Sequence, residues 1–77
     1  MAKLWDIPII VRRGKDRWVI DGPQAALKLL EEIPELERGY LFALAKRRCE
    51  ANIHGRASDG SAQLALQSAI VESGIFS

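Results

Sequence analysis

The chain has little with which to build a covalent or metal-held framework. Among its 77 residues there is one cysteine, Cys49, so no internal disulfide can form. There is one histidine, His54, and that pairing is too small for an ordinary structural zinc site within one chain. No stretch approaches the ~18 consecutive apolar residues of a membrane span. The opening Met1-Ala2-Lys3-Leu4-Trp5-Asp6 lacks the basic region and apolar run of a secretory signal. No phosphate-binding glycine loop, metal-ligand spacing, trustworthy helix-turn-helix signature, internal repeat or low-complexity run is present. These absences imply a cytoplasmic protein that needs no cofactor and makes no use of a membrane.

What is present is ordinary globular material. Hydrophobic residues make up 48% and charged residues 27%, a balance that excludes a disordered chain. Seventy-seven residues make a single domain, near the lower limit for a self-sufficient core, so a second subunit is a natural source of stability. The net charge of +1 is distributed in blocks: +3 over residues 1–20, −4 over 21–37, +4 over 38–56 and −2 over 57–77. Alternating blocks imply elements that attract one another within the fold or across an interface, more than one basic face for nucleic acid.

The stretch from Gly39 to His54 organises the rest. At about 100° per residue, Leu41, Ala45, Cys49 and Ile53 form one ridge, with Phe42 on one flank and Leu44, Ala51 and Tyr40 on the other. That arc is roughly 200° wide, more than one neighbour can cover. The predicted arrangement is therefore a central helix covered by a hairpin and two flanking helices. Arg48 and Asn52 interrupt the arc. They read either as buried groups with partners or, together with His54, as a polar notch open to a ligand.

From Trp5 to Val11 the chain alternates, with Trp5, Ile7, Ile9 and Val11 on one face, and this predicts a strand with Pro8 at an edge or bulge. Arg12-Arg13-Gly14-Lys15-Asp16 reads as the polar turn, and Arg17 to Ile20 as the return strand with Trp18 and Ile20 on one face. Asp21, with Gln24 three residues on, predicts a capped first helix that runs to Ile33, where Pro34 ends it. Gly55 is expected to close the central helix in a left-handed conformation. Ser58-Asp59-Gly60-Ser61 predicts the cap of a last helix with Ala62, Ala65, Leu66, Ala69, Ile70 and Ser73 inside, ended by Gly74. Ile75 and Phe76 follow, either as a hydrophobic cap or as a short third strand. The order is ββααα, an α+β domain.

Over nearly its whole length this pattern resembles a bacterial family known only as domain of unknown function 982. The residues that carry the resemblance are Ile7-Pro8-Ile9, Ala25-Ala26, Pro34, Arg38-Gly39, Ala45, Cys49, Gly55 and the closing Glu72-Ser73-Gly74-Ile75. The chain departs from the family at Ile33, where Trp is frequent, and at Gln63 and Leu66, where Arg and Phe are frequent. The resemblance implies a small bacterial protein and brings no catalytic residue.

Besides the polar notch, three groups of residues are candidates for function. Cys49, flanked by Lys46 and Arg48, invites a reactive-thiol reading, but a mid-helix cysteine on an apolar ridge behaves as a small hydrophobe. Arg12, Arg13, Lys15 and Arg17 form a basic hairpin turn that could meet phosphates, with Trp18 or Tyr40 to stack on bases. Ile10, Leu64, Val71 and Phe76 are apolar residues on outward faces and mark a candidate interface. The leading expectation is a non-enzymatic interaction or regulatory module acting as a homodimer, with an unidentified protein partner as a further prospect. The alternative is a nucleic-acid-binding accessory protein using the basic turn.

Overall fold

The computed structural model describes residues 3–74, which form the expected ββααα domain. Two antiparallel strands, β1 (Ile9–Arg13) and β2 (Asp16–Ile20), are followed by α1 (Pro23–Glu31), α2 (Tyr40–Ile53) and α3 (Asp59–Ser73). The strands pair Ile9 with Ile20, Ile10 with Val19, Val11 with Trp18, Arg12 with Arg17 and Arg13 with Asp16. The turn is tighter than the five-residue stretch expected, because only Gly14 and Lys15 lie outside the ladder. Gly14 sits at φ 61° and Lys15 does not share that sign, the pattern of a type II′ hairpin turn, in which glycine takes the first central position.

The first strand begins at Ile9, four residues later than the alternation predicts. Trp5 and Val11 are buried as expected, but Ile7 is 76% exposed, so the single apolar face is broken before the strand starts. The reason lies in the hydrogen bonding. Pro8 has no N–H for the ladder, and the N–H of Trp5 donates instead to the carbonyl of Asp21 at 2.7 Å. Residues 3–8 thus form a strap beside the start of α1. Gln63 of α3 holds that strap further along, its Nε2 donating to the Ile7 carbonyl at 2.6 Å.

The strap also explains how α1 begins. The expected cap, Asp21 with Gln24, does not form. Gly22 occupies the cap position without any side-chain bond, Pro23 opens the first turn, and Gln24 leaves its Oε1 buried with no hydrogen-bond partner among the described residues. A methyl group on Gly22 would overlap the carbonyl of Lys3, so the close passage of the strap requires glycine. Helix α1 stops at Glu31, two residues before Ile33, and a single 3-10 turn spans Glu35–Glu37. Arg38 joins this corner together. Its Nε donates to the Ile33 carbonyl at 2.8 Å, its Nη2 to the Glu31 carbonyl at 3.4 Å, and its guanidinium lies 4.9 Å from the centre of the Phe42 ring.

Helix α2 has its most extensive contact with α3 and its next with α1, while the hairpin meets the helices chiefly through β2 on α1. Small residues, Ala45 and Cys49 facing Ala62, Ala65 and Ala69, are fully or almost fully buried in this helical layer. Leu30, Ile33 and Leu66 supply its volume. Tyr40, counted in the apolar arc of α2, is 73% exposed and belongs to the surface.

Both ends of α2 close in ways that the local sequence only half contains. At the C-terminal end Gly55, at φ 72°, donates to the Asn52 carbonyl and Arg56 donates to the Ala51 carbonyl, a complete Schellman motif. At the N-terminal end Gly39 offers no side chain, and the carboxylate of Glu72 on α3 accepts from the N–H groups of Leu41 and Phe42, both at 3.2 Å. A carboxylate there satisfies orphan donors and meets the positive end of the helix dipole. Helix α3 starts as expected, with Ser58 Oγ accepting from the Ser61 N–H at 3.1 Å, and Gly74 closes it at φ 69°.

Replacing Gly22 by alanine should lower unfolding free energy by about 1–3 kcal/mol, since backbone of the strap must move to make room. Gly14→Ala should cost about 1–2 kcal/mol through the positive φ alone. Urea denaturation of the two variants checks both values, and a Gly22→Ala protein as stable as the wild type would contradict the placement of the strap.

Candidate functional site

The polar residues expected to form a notch are mostly spoken for within the fold. Asn52 is completely buried, its Oδ1 accepts the indole Nε1–H of Trp5 at 2.9 Å, and its Nδ2 donates to the Ala57 carbonyl at 2.9 Å and to Asp59 Oδ1 at 2.8 Å. Of the two readings open in the sequence, Asn52 takes the one with partners. Asp59 meets Lys3 at 3.6 Å as well, which ties the strap to the same point. Arg48 is exposed and its Nη1 donates to Ser61 Oγ at 2.8 Å. His54 lies exposed at the end of α2, and its backbone N–H returns to the Ala51 carbonyl. The Trp5 partnership links residues 47 positions apart. A buried indole needs an acceptor, but sequence spacing gives no means of finding which one.

Cys49 is wholly buried on the α2 ridge. Burial, with the nearby charge of Glu50 as the smaller cause, pushes its thiol up from 9.0 to about 11. At neutral pH it is a protonated hydrophobe, without the thiolate that nucleophilic or metal-binding chemistry requires. Among the described residues no group of three or more His, Cys, Asp and Glu side chains is placed to hold a metal ion, and no helix is long and apolar enough to cross a membrane.

The four cations of the hairpin do come together. Arg12 and Arg17 stand directly opposite one another, Arg13 is the next residue of β1, and Lys15 occupies the turn. All four are exposed, and none is in an ion pair with another described residue. Trp18, expected as a stacking platform beside them, points to the inner face of the hairpin with Val11 and is half-buried against the core.

Two of the apolar candidates, Ile10 and Val71, are brought together in a way the sequence does not show. Ile10 is 49% exposed, Leu64 66% and Val71 80%. A groove of about 230 Å³ separates β1 from α3, lined on one side by Ile9 to Arg12 and on the other by Gln67, Ile70 and Val71. A shallow recess of about 480 Å³, with Leu41, Ser68 and Glu72 around it, lies on the other flank of Val71. Val71 is thus a ridge between two depressions. Ile10 and Val71, which belong to separate elements, share one surface. Phe76 lies outside the described residues.

A third groove, of about 340 Å³, runs between β2 and α1. Nothing in the sequence pattern indicated it, because its walls are the edge of a strand and one face of a helix brought together only by folding. Compared with protein-family models, curated proteins and solved structures, the chain matches none.

The burial of Cys49 gives two measurable consequences. Ellman's reagent should modify the native protein at least about 100-fold more slowly than the urea-unfolded chain, since reaction must wait for an opening of the core. Because the folded-state value lies above the unfolded one, the unfolded thiol ionises first; the contribution of Cys49 to stability is whole below pH 9.0 and is lost as pH rises through about 11. Urea midpoints should therefore fall more steeply over that window for the wild type than for Cys49→Ala. Equal slopes, or rapid native labelling, would contradict the buried thiol.

Proposed function

We propose that this chain is a non-enzymatic interaction or regulatory module that works as a homodimer, joined through the face that carries Ile10, Leu64 and Val71. One observation carries the reading: Ile10 on β1, about half exposed, and Val71 on α3, largely exposed, line the same groove. Large aliphatic side chains gathered on one continuous surface favour association, whereas singly scattered ones are unremarkable. A 77-residue domain with an alanine-rich core also has stability to gain from a second subunit. The reducing cytoplasm suits a protein whose single cysteine is buried as a thiol. The resemblance to domain of unknown function 982 adds no activity to this proposal.

The test is light-scattering mass at high micromolar concentration. A dimer is expected for the wild type, and Ile10→Asp and Val71→Asp should each weaken it by about 30-fold or more, the effect of removing a central interface contact. Leu64→Asp should act in the same direction more weakly. A monomer at all concentrations would overturn the dimer, and loss with only one of Ile10→Asp and Val71→Asp would overturn the shared face.

A second reading rests on the cross-strand pair Arg12 and Arg17. Like charges directly opposite are unfavourable, and no acid among the described residues neutralises them. A nucleic-acid backbone would. For this accessory-protein alternative, binding of a single-stranded oligonucleotide should fall steeply between about 50 and 200 mM salt, and Arg12→Ala with Arg17→Ala should reduce the salt slope by about 1.4. Absence of binding at low salt would dismiss it.

A further inference from the structure

The groove between β2 and α1 has the construction of a strand-addition site. On one wall lie four consecutive strand residues, Arg17 to Ile20; on the other lie Ala25, Lys28, Leu29 and Glu32. Consecutive strand residues line a groove only when the strand presents its edge, since the pleat sends alternate side chains to opposite faces. The helix positions are spaced i, i+3, i+4 and i+7, which is a single face laid along that edge.

The register determines what the edge offers. With a two-residue turn, Arg13 and Asp16 are the hydrogen-bonded closing pair, and alternation makes Val11 with Trp18 and Ile9 with Ile20 bonded pairs too. The N–H and C=O groups of Arg17 and Val19 therefore point away from β1. Among the described residues these N–H groups donate to, and these carbonyls accept from, no backbone group outside the hairpin. An extended segment laid there finds two residues' worth of free backbone partners.

The outer face of the hairpin then states which side chains that segment needs. Arg17 faces Arg12 across the ladder, a like-charge pair, and Val19 faces Ile10, an apolar pair left about half exposed. An acidic side chain beside Arg17 would pair with it and offset its repulsion by Arg12, with Lys28 of α1 adding a further cation and Glu32 subtracting one charge. Two residues along, an aliphatic side chain beside Val19 would extend the apolar pair to three strands. The residue between them points to the helix side, against Ala25 and Leu29, and must be apolar.

We infer that the β2–α1 groove takes an extended acidic segment of a partner protein as a third strand, with an acidic residue beside Arg17 and aliphatic residues at the next two positions. The peptide is held by the free edge of β2 and the dimer by the β1–α3 groove, with Ile10 shared between them; the Arg17 and Val19 amides report on the first and Val71→Asp on the second, so the two failures are told apart.

The experiment is a nitrogen-15 NMR titration of the full chain with two capped peptides, Thr-Glu-Val-Val-Thr-Gly and its reverse, which cover parallel and antiparallel addition. Counterparts with lysine for glutamate serve as controls. One acidic peptide is expected to bind below about 1 mM, to shift the Arg17 and Val19 amides and slow their exchange, and to bind about fivefold more tightly than its lysine control. Val19→Pro removes an outward N–H without touching the bonds to β1, and should abolish binding while the indole N–H signal of Trp5 stays in place. Arg17→Glu with Lys28→Glu should reverse the preference between acidic and basic peptides. Silence of the Arg17 and Val19 amides with both acidic peptides, equal affinity for acidic and basic peptides, or unchanged binding by a folded Val19→Pro protein would each overturn the inference.

Discussion

A single buried amide holds the three parts of this domain in register. Asn52 sits at the last turn of α2 with no solvent contact, and its acceptor and both donors are used by Trp5, Ala57 and Asp59. Each of those residues belongs to a different piece: the strap before the hairpin, the loop after α2, and the first turn of α3. A polar group in that position is costly unless every bond is made, and that is why it specifies one arrangement. Moving any of the three pieces by a fraction of an ångström would leave a buried donor or acceptor unpaired.

The antiparallel α2–α3 pair is fastened at both ends by the same physical need. At one end Asn52 meets Asp59 while Arg48 meets Ser61; at the other the Glu72 carboxylate caps the open N–H groups of Leu41 and Phe42. Between these fastenings the contact is made of alanines, Cys49 and Leu66, which allow close approach and gain little area per residue. The polar ends supply the positional definition that such small side chains do not. Arg38 performs a comparable task between α1 and α2, and so the helical layer is pinned at three corners.

The hairpin is attached to this layer differently. Its inner face, Val11, Ile20 and the half-buried Ile9 and Trp18, is committed to the core, while both of its edges lie beside grooves. A two-stranded sheet is marginal alone and gains most from further strands or a covering surface. The proposed dimer face and the proposed peptide groove are the two edges of the same small sheet, one apolar and one carrying charge.

Much of the fold was legible in the sequence because its signals are local. Gly14, Gly55 and Gly74 take the left-handed conformations that only glycine adopts cheaply, Ser58 caps the helix that follows it, and the inner face of α3 is the set read from its period except that Ile70 is only partly buried. Burial of Cys49 followed from its place on the ridge. The local signals misled where a distant group changed the outcome. Asp21 looked like a helix cap, but its carbonyl was drawn to Trp5 and the strap forced Gly22 into the cap position. Trp5 to Pro8 had the alternation of a strand, but no partner strand was there to receive it. The sequence by itself determined the elements, their order and, apart from Ile7 and Tyr40, most of their inner faces, since these depend on residues a few positions apart. Tertiary structure alone decided that Asn52 is a junction, that Glu72 caps α2, and that Ile10 and Val71 share a groove, because hydrogen bonds and surfaces between residues 30 to 61 positions apart exist only once the chain has closed on itself.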